Sequence, residues 1–405
     1  MFERHIDFGD AGGLLVRTAK ITETGFHVHS GILEIVCVLS GRVDARVSME
    51  TFELEAGDYI VINHGDPHFL GSAKDNVTAS LYVDLDVFRD ISPYLMNFIF
   101  TCESFDLPRY KHQETYLRTL IADILAIFMT NGANRQSSLR HAAYGLLKVL
   151  CAEYTVEYYY NRNVRHPADR IEKYFRVIRY LSEYYMEKNV LDLIAEKEYY
   201  SKSYISHLFK EVGFSNFSDN LSFYRVAAAE KLLLATDRRI GDIAVDCGFS
   251  DVKYLRRDFA EWFGMSPFEY RKKYWNRVNL PDRVADFPAE QALPLVYGIA
   301  AFDESPEPPR YSMTPMSIKI AESKKEIFGG FELKTSRRSG ASGVTSPVLH
   351  ADAGDVRSSV HVVLAGPDPE RRSQADRIEQ ACKAAKKDVE IYESVDEFLR
   401  ALPAL

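Results

Sequence analysis

Between residues 27 and 41 the chain reads HVHSGILEIVCVLSG: His27 and His29 are one residue apart, Glu34 follows, and Gly41 closes the run. A further histidine, His68, ends the segment NHGDPH. Side chains alternate between the two faces of a strand, so His27 and His29 are expected to point the same way. Three imidazoles and a carboxylate form a donor set suited to a divalent ion such as Mn, Fe, Ni or Zn. The same groups can pair with sugar hydroxyls, while aromatic rings pack on the C–H faces of the sugar. The favoured reading is a small-molecule effector pocket lined by His27, His29, Glu34 and His68, with no cofactor. A divalent metal held by these four residues is the second reading. No catalytic residue is assigned.

The elements that must position these groups follow from periodicity. From about residue 5 to 86, short β-like runs (LEIVCVLSG, VDARVSM, DYIVINHG, TASLYVDLDV) are broken by Gly, Asn, Asp and Pro roughly every ten residues. That spacing predicts a small antiparallel barrel or sandwich. The period then becomes helical in ETYLRTLIADILAIFMT and SSLRHAAYGLLKVLCAEYTVEYYY, joined by the polar loop NGANRQ. This predicts a helical hairpin packed against the barrel or against a second copy of the chain. A polar, proline-containing stretch at 161–170 reads as a linker. Beyond it Ile171, Tyr174, Phe175, Ile178, Leu181 and Tyr185 trace one face of a helix. After Trp275 come proline-rich and Ser/Gly-rich segments, then a strand–helix–strand–helix pattern to which no role is assigned.

Composition narrows the class. The chain has 405 residues, too many for one ordinary core. Hydrophobic residues make up 46% and charged residues 27%, as in a soluble globular protein. The five cysteines (37, 102, 151, 247 and 382) form no C-x-x-C pair, which excludes a zinc-ribbon spacing and suggests reduced thiols. The start MFERHIDFGD lacks the apolar stretch of a signal peptide, and the most apolar run is short and contains Asp123. A cytoplasmic location without membrane contact is expected. The net charge is -8, yet residues 171–275 hold 17 Lys and Arg against 16 Asp and Glu, so the acidity lies elsewhere.

An internal repeat decides the reading of that middle block. LIAEKEYYSKSYISHLFKEVGFS (193–215) and DIAVDCGFSDVKYLRRDFAEWFGMS (242–266) each place a serine six residues after an alanine, Ser201 after Ala195 and Ser250 after Ala244. Each reads as a helix-turn-helix: the alanine permits close helix approach, the serine caps the second helix, and Gly213 or Gly264 ends it. Tyr204, Ile205 and Phe209 should pack inward. Lys202, Ser203, Ser206, His207 and Lys210 then face outward on the first recognition helix, and Asp251, Lys253, Arg256 and Arg257 on the second. Short polar groups near a helix N-terminus reach base edges in a major groove, and Lys and Arg further along meet phosphates. Phe217, Leu221, Tyr224, Ala228 and Leu232 predict an amphipathic helix holding the two units apart, as two readers about 34 Å apart on one face of a duplex require.

The block from about 171 to 275 resembles the DNA-binding domain of the AraC family of bacterial transcription regulators. The segments SYISHLFKEVGFS, YRVAAAEKLLL, IGDIAVDCGFSDVKYLRRDF and GMSPFEYRKKY carry the resemblance in order and spacing. It departs from the family at His207, where an arginine is usual, and at Ala260 and Glu261, which replace a usual basic pair. The run His27, His29, Glu34, Gly41 is similar to the first cupin motif, whereas Asn63 and Ser72 depart from the second. The resemblance implies a multidomain chain: an all-β cupin-like effector-sensing barrel (1–90), a helical hairpin for dimerisation (91–160), a linker (161–170), an all-α double helix-turn-helix domain (171–275), and a small α/β-like extension (276–405). It further implies a sequence-specific, effector-responsive regulator rather than an enzyme, an activator by family habit. The implied partners are double-stranded promoter DNA, a small effector such as a sugar, RNA polymerase and a second copy of the chain. The rival from a different class is a metal-dependent cupin enzyme with a helical appendage.

Overall fold

The computed structural model describes residues 2–9, 12–101, 111–130, 135–161, 166–300, 311–312, 316, 359–363 and 388–392. Its first part is a β-barrel of β1 (Leu14–Glu23), β2 (Ile32–Val47), β3 (Glu50–Glu55), β4 (Tyr59–Ile62), β5 (His68–Gly71) and β6 (Asn76–Asp84). β1 pairs with β5 and β6, β6 with β2, and β2 with β5, so this ring closes on itself. Closure removes the free edges that a small antiparallel sheet would otherwise expose.

β2 carries the barrel. Its first half pairs with β6 and β4, and its second half with β3 and β5. The change of partner occurs near Gly41, beside a register shift between Val38 and Ser40. Gly41 has φ +77°, and a Cβ there would lie 2.1 Å from the Asp75 carbonyl oxygen, so only glycine fits this bend. Leu33, Ile35, Cys37 and Leu39 on one face of β2 join a core shared with helices. Val36 and Val38 on the other face join a core inside the barrel, and alternation places Glu34 on that inner face. Burial on both faces explains why ILEIVCVL is nearly continuous in apolar residues rather than alternating.

The helical hairpin is α1 (Lys111–Met129) and α2 (Arg135–Glu153). Leu117, Ile121, Ile124 and Leu125 of α1, with Leu139, Ala143, Leu146 and Leu150 of α2, share one buried core with Leu33, Ile35 and Leu81. Of the two packing options expected for the hairpin, these residues take the barrel. After the short α3 (Val156–Asn161), α4 (Ala168–Tyr184) begins inside the stretch expected to be a linker; residues 162–165 lie outside the described residues. Tyr174, Phe175, Ile178 and Leu181 are buried as expected, but Ile171, one turn from the helix start, is 39% exposed.

The double helix-turn-helix comprises α4, α5 (Val190–Glu198), α6 (Lys202–Glu211), α7 (Phe217–Ala235), α8 (Ile240–Asp246), α9 (Val252–Phe263) and α10 (Pro267–Val278). α7 belongs to both units. Phe217, Leu221 and Tyr224 pack with the first unit, and Val226, Ala229, Leu233 and Leu234 with the second. The expected single stripe through Ala228 and Leu232 is only half-buried, because the helix turns its apolar face from one core to the next.

Residues 276–300 are not a linker. The chain returns to the barrel: β7 (Arg283–Asp286) pairs antiparallel with β1, and α11 (Ala289–Ala300) places Ala292, Val296 and Ile299 in the hairpin–barrel core. Further on, β8 (Tyr311–Ser312) pairs with β3, and β9 (Ser359–Val363) runs parallel to β10 (Asp388–Tyr392). Both strands expected near the C-terminus are present, and the two helices expected with them lie outside the described residues. Cys37, Cys151 and Cys247 are free thiols, while positions 102 and 382 lie outside the described residues. Among the described residues no helix is long and apolar enough to cross a membrane.

The barrel and the second helix-turn-helix unit share one buried cluster. Phe26 of the barrel is fully buried, with its ring 5.0 Å from Phe69 and 5.6 Å from Tyr274 of α10. Truncating such a ring leaves a cavity, so Phe26→Ala is expected to lower stability by about 3–5 kcal/mol in urea denaturation. A loss below about 1 kcal/mol would show that the two domains do not share this core.

Candidate functional site

His27 and His29 lie in an extended segment between β1 and β2 rather than within a continuous strand. They are held by isolated bridges of His27 to His68 and of Val28 to Glu3. The same-face expectation nevertheless holds: ring centroids are 5.0 Å apart for His27 and His29, and 4.2 Å for His27 and His68. With Glu34 of β2, the three imidazoles present ligand atoms that all lie within 4.8 Å of one another. All four residues are buried, none more than 5% exposed.

Each ring is fixed through Nδ1, which donates to a carbonyl oxygen: His27 to Gly25 at 2.7 Å, His29 to Arg4 at 2.9 Å and His68 to Asp66 at 2.9 Å. A carbonyl only accepts, so Nδ1 carries the proton and Nε2 is left to face the cluster. Burial, with His68 and Arg4 nearby, holds His27 well below the usual imidazole range. Burial likewise lowers His29, against the pull of Glu34. These two rings are therefore neutral at pH 7, with Nε2 lone pairs turned inward. Burial works to raise the Glu34 carboxyl, but His68 and His29 outweigh it and hold the group below its ordinary value. Glu34 Oε2 lies 3.1 Å from His68 Nε2 and 3.6 Å from His29 Nε2, yet neither contact has hydrogen-bond alignment, and all three atoms are buried without a partner. Convergent lone pairs and a carboxylate, oriented by carbonyl bonds on the far side of each ring, fit a bound cation.

The cluster is wired to the second helix-turn-helix unit. Asp282, just past α10, accepts both Nη1 and Nη2 of Arg4 at 2.7 Å, and its Oδ1 also accepts the Gly25 N–H at 2.9 Å. Arg4 and Gly25 are the residues whose carbonyls hold His29 and His27. Next to the third ring, Phe69 lies under the Arg277 guanidinium, 4.6 Å away. The Phe26 N–H donates to the Arg277 carbonyl at 2.9 Å. Phe26 and Phe69 were legible, because they neighbour His27 and His68 and strand alternation sends them to the opposite face. Nothing in the local sequence marks the pairing of Arg4 with Asp282.

A second link is Glu230 of α7, fully buried, which accepts from Ser48 Oγ of the barrel at 2.9 Å and from the Tyr270 hydroxyl of α10. Burial pushes its carboxyl up to about 7, against the two hydrogen bonds and the nearby Arg46.

The nine residues expected to face DNA are all on the surface: Lys202, Ser203, His207, Lys210, Asp251, Lys253, Arg256 and Arg257 are exposed, and Ser206 is half-buried. Ser201 caps α6 by accepting from the Tyr204 N–H, as expected. In the second unit the cap is Asp251, which accepts from the Lys253 N–H, and not Ser250. This corrects the expected cap, while Asp251 stays exposed with one carboxylate oxygen engaged by the Lys253 N–H. Lys202 pairs with Asp192, His207 with Glu211 and Arg257 with Asp258. Lys253 and Arg257 flank the Tyr254 ring, at 5.0 and 5.4 Å. Gly264 ends α9 in the left-handed conformation, whereas Gly213 follows α6 where a Cβ would lie 2.7 Å from the Phe209 carbonyl oxygen. Tyr199, which ends α5, is also left-handed (φ +55°, ψ +37°), a conformation costing a non-glycine residue about 1 kcal/mol or more.

Comparison with known proteins agrees with this division. A family described as a helix-turn-helix domain matches residues 194–273, and one described as a cupin domain matches residues 14–88. The regulatory protein SoxS of Escherichia coli (strain K12) is 30% identical over 97 residues, covering 24% of this chain and 91% of SoxS. The HTH-type transcriptional regulator YijO of the same organism is 34% identical over 112 residues, which is 27% of this chain and 40% of YijO. The HTH-type transcriptional regulator YdiP, also from that organism, is 23% identical over 279 residues, which is 67% of this chain and 88% of YdiP.

Glu230 yields a pH prediction. Its pKa is raised in the folded state, so folding favours its protonated form. The stabilisation is complete below about pH 4.5, declines as pH rises toward 7 and is absent above. Glu230→Gln should remove roughly 3 kcal/mol of this pH-dependent stability difference. Urea denaturation at pH 5 and pH 8 checks it: wild type should lose more stability than the variant between the two, and parallel losses would contradict the assignment.

Proposed function

Because the chain belongs to the AraC family of transcriptional regulators, we propose that it is a cytoplasmic, sequence-specific DNA-binding regulator whose barrel senses a divalent transition-metal ion. The observation that carries the sensing half is the buried set His27, His29, Glu34 and His68, with ligand atoms within 4.8 Å of one another and three of them lacking a hydrogen-bond partner. When bound, the ion would supply the positive charge that balances the ionised Glu34 carboxylate in this buried site. The burial of all four residues favours sensing over catalysis, because a catalytic metal keeps a position open to substrate.

The chain's own residues carry the signal. The three rings that would hold the ion are each tied through Nδ1 to a carbonyl anchor. Two of those anchors, Gly25 and Arg4, are bonded to Asp282. The third ring is chain-adjacent to Phe69, which touches Tyr274 and Arg277 of α10. α10 belongs to the unit that presents α9 to DNA. A ligand shifts such a two-state arrangement only by its difference in affinity for the two states, and a few kcal/mol suffices.

On the DNA side, Arg256 and Lys210 make no ion pair or hydrogen bond with any described residue, whereas Lys202, His207 and Arg257 are paired within the chain. Arg256→Ala should therefore weaken binding to a duplex selected in vitro by about 1–3 kcal/mol if it reads a base, or reduce the salt slope by about one if it meets phosphate. Unchanged affinity and slope would remove α9 from the interface. For the sensor, purified chain titrated with Mn(II) or Zn(II) should bind one equivalent by calorimetry, and His68→Ala and Glu34→Ala should each weaken that binding at least tenfold. Equal binding by both variants would place the ion elsewhere.

A further inference from the structure

The two helix-turn-helix units act as each other's control. In both, the fourth residue after the packing alanine is left-handed: Tyr199 after Ala195, with φ +55°, and Gly248 after Ala244, with φ +81°. Glycine accepts this conformation freely, whereas a side chain is strained by it. In the second unit glycine is required for packing as well, since a Cβ there would lie 2.7 Å from the Met186 carbonyl oxygen. The first unit holds a tyrosine instead, 95% exposed, whose backbone N–H caps α5 but whose side chain makes no hydrogen bond or ring contact to any described residue. Neighbouring aromatics do find partners: Tyr200 lies 4.9 Å from Tyr204, and Tyr180 is within 6.2 Å of Tyr184. The left-handed turn serves to close α5, with the Tyr200 N–H donating to the Ala195 carbonyl, but glycine would do this without strain, and the phenol gains nothing within the chain, the pattern of a side chain kept for an external partner.

Its place in the fold identifies that partner. Tyr199 stands two residues before Ser201, the cap of α6, and three before Lys202, the first residue of the recognition helix. Three residues span at most about 10 Å of chain, and the N-terminal end of a recognition helix is the end that enters the major groove. That groove is about 12 Å wide and walled by phosphates, so a phenol projecting from the turn reaches its rim rather than its floor. A neutral hydroxyl donor suits a phosphate oxygen there. We propose that Tyr199 is a DNA-backbone contact of the first unit, its hydroxyl donating to a phosphate oxygen beside the groove that α6 enters, with no counterpart in the second unit, where Gly248 occupies the same position.

This inference rests on α6 and α9 facing DNA, and the test separates the two. Full-length wild type, Tyr199→Phe, Tyr199→Gly and Arg256→Ala are compared on a duplex obtained by in vitro selection with the full chain. Tyr199→Phe and Tyr199→Gly should each weaken binding about tenfold, with the salt slope unchanged because no cation is lost. Without DNA, Tyr199→Gly should melt about 2–4 °C above wild type as the backbone strain is released. Replacing phosphates one at a time with neutral methylphosphonates should reveal one position that weakens wild type to the level of Tyr199→Phe and leaves Tyr199→Phe itself unaffected. Wild-type affinity in Tyr199→Phe overturns the proposal, whether or not Tyr199→Gly is weakened, provided that Arg256→Ala loses affinity. If wild type selects no duplex, both this contact and the reading of the recognition helices fall.

Discussion

Phe26 and Phe69 are each one residue from an imidazole of the buried cluster, and both rings close on Tyr274 of the last DNA-domain helix. That three-ring contact is what the rest of the molecule depends on. It makes the wall of the buried His–Glu cluster and the support of the second helix-turn-helix unit the same piece of core. Strand alternation is the reason: a β segment that turns His27 and His68 inward must turn Phe26 and Phe69 outward. With the barrel closed and its interior packed, a displacement at the cluster has few directions open to it, because close-packed cores deform little. The docked helix lies in one of them.

The polar contacts around this core point the same way. Asp282 gathers the Arg4 guanidinium and the Gly25 amide, and the carbonyls of those two residues orient His29 and His27. Exposed ion pairs contribute little to stability on their own, so the value of this arrangement lies in geometry: one carboxylate past α10 registers the position of two rings. Glu230 adds a buried carboxyl to the same interface, with its Ser48 partner on the barrel and its Tyr270 partner on α10. The strand β7 and helix α11 then tie the chain beyond the DNA-binding domain back onto β1 and the hairpin. The two domains are thus joined by apolar, hydrogen-bonded and main-chain contacts.

Much of this was legible in the sequence because the signals are local and periodic. The alternation His27, His29 and the spacing to Glu34 gave the inner face, and the repeat from Ala195 to Ser201 and from Ala244 to Ser250 gave the two readers. What escaped is non-local. Arg4 and Asp282 are 278 residues apart and neither sits in a periodic pattern. β7 is a four-residue strand with every residue exposed, so no apolar pattern announces it, and it forms only where β1 leaves β6, over Ala19–Glu23. The cap of α9 went to Asp251 rather than Ser250 because two adjacent residues were both good caps, and only the backbone decides between them. Tyr199 escaped for another reason: a tyrosine in a left-handed turn contradicts residue preference, and such local contradictions concentrate where an external partner acts.

The central claim is that the His27–His29–Glu34–His68 cluster and the DNA-reading face are one coupled system. It is tested most directly by measuring the dissociation constant of the full chain for its selected duplex at fixed ionic strength, first with a chelator and then with saturating Mn(II) or Zn(II). The account predicts at least a fivefold change, and by linkage the duplex must change the affinity for the ion by the same factor. An ion that binds stoichiometrically yet leaves the dissociation constant within twofold would contradict it.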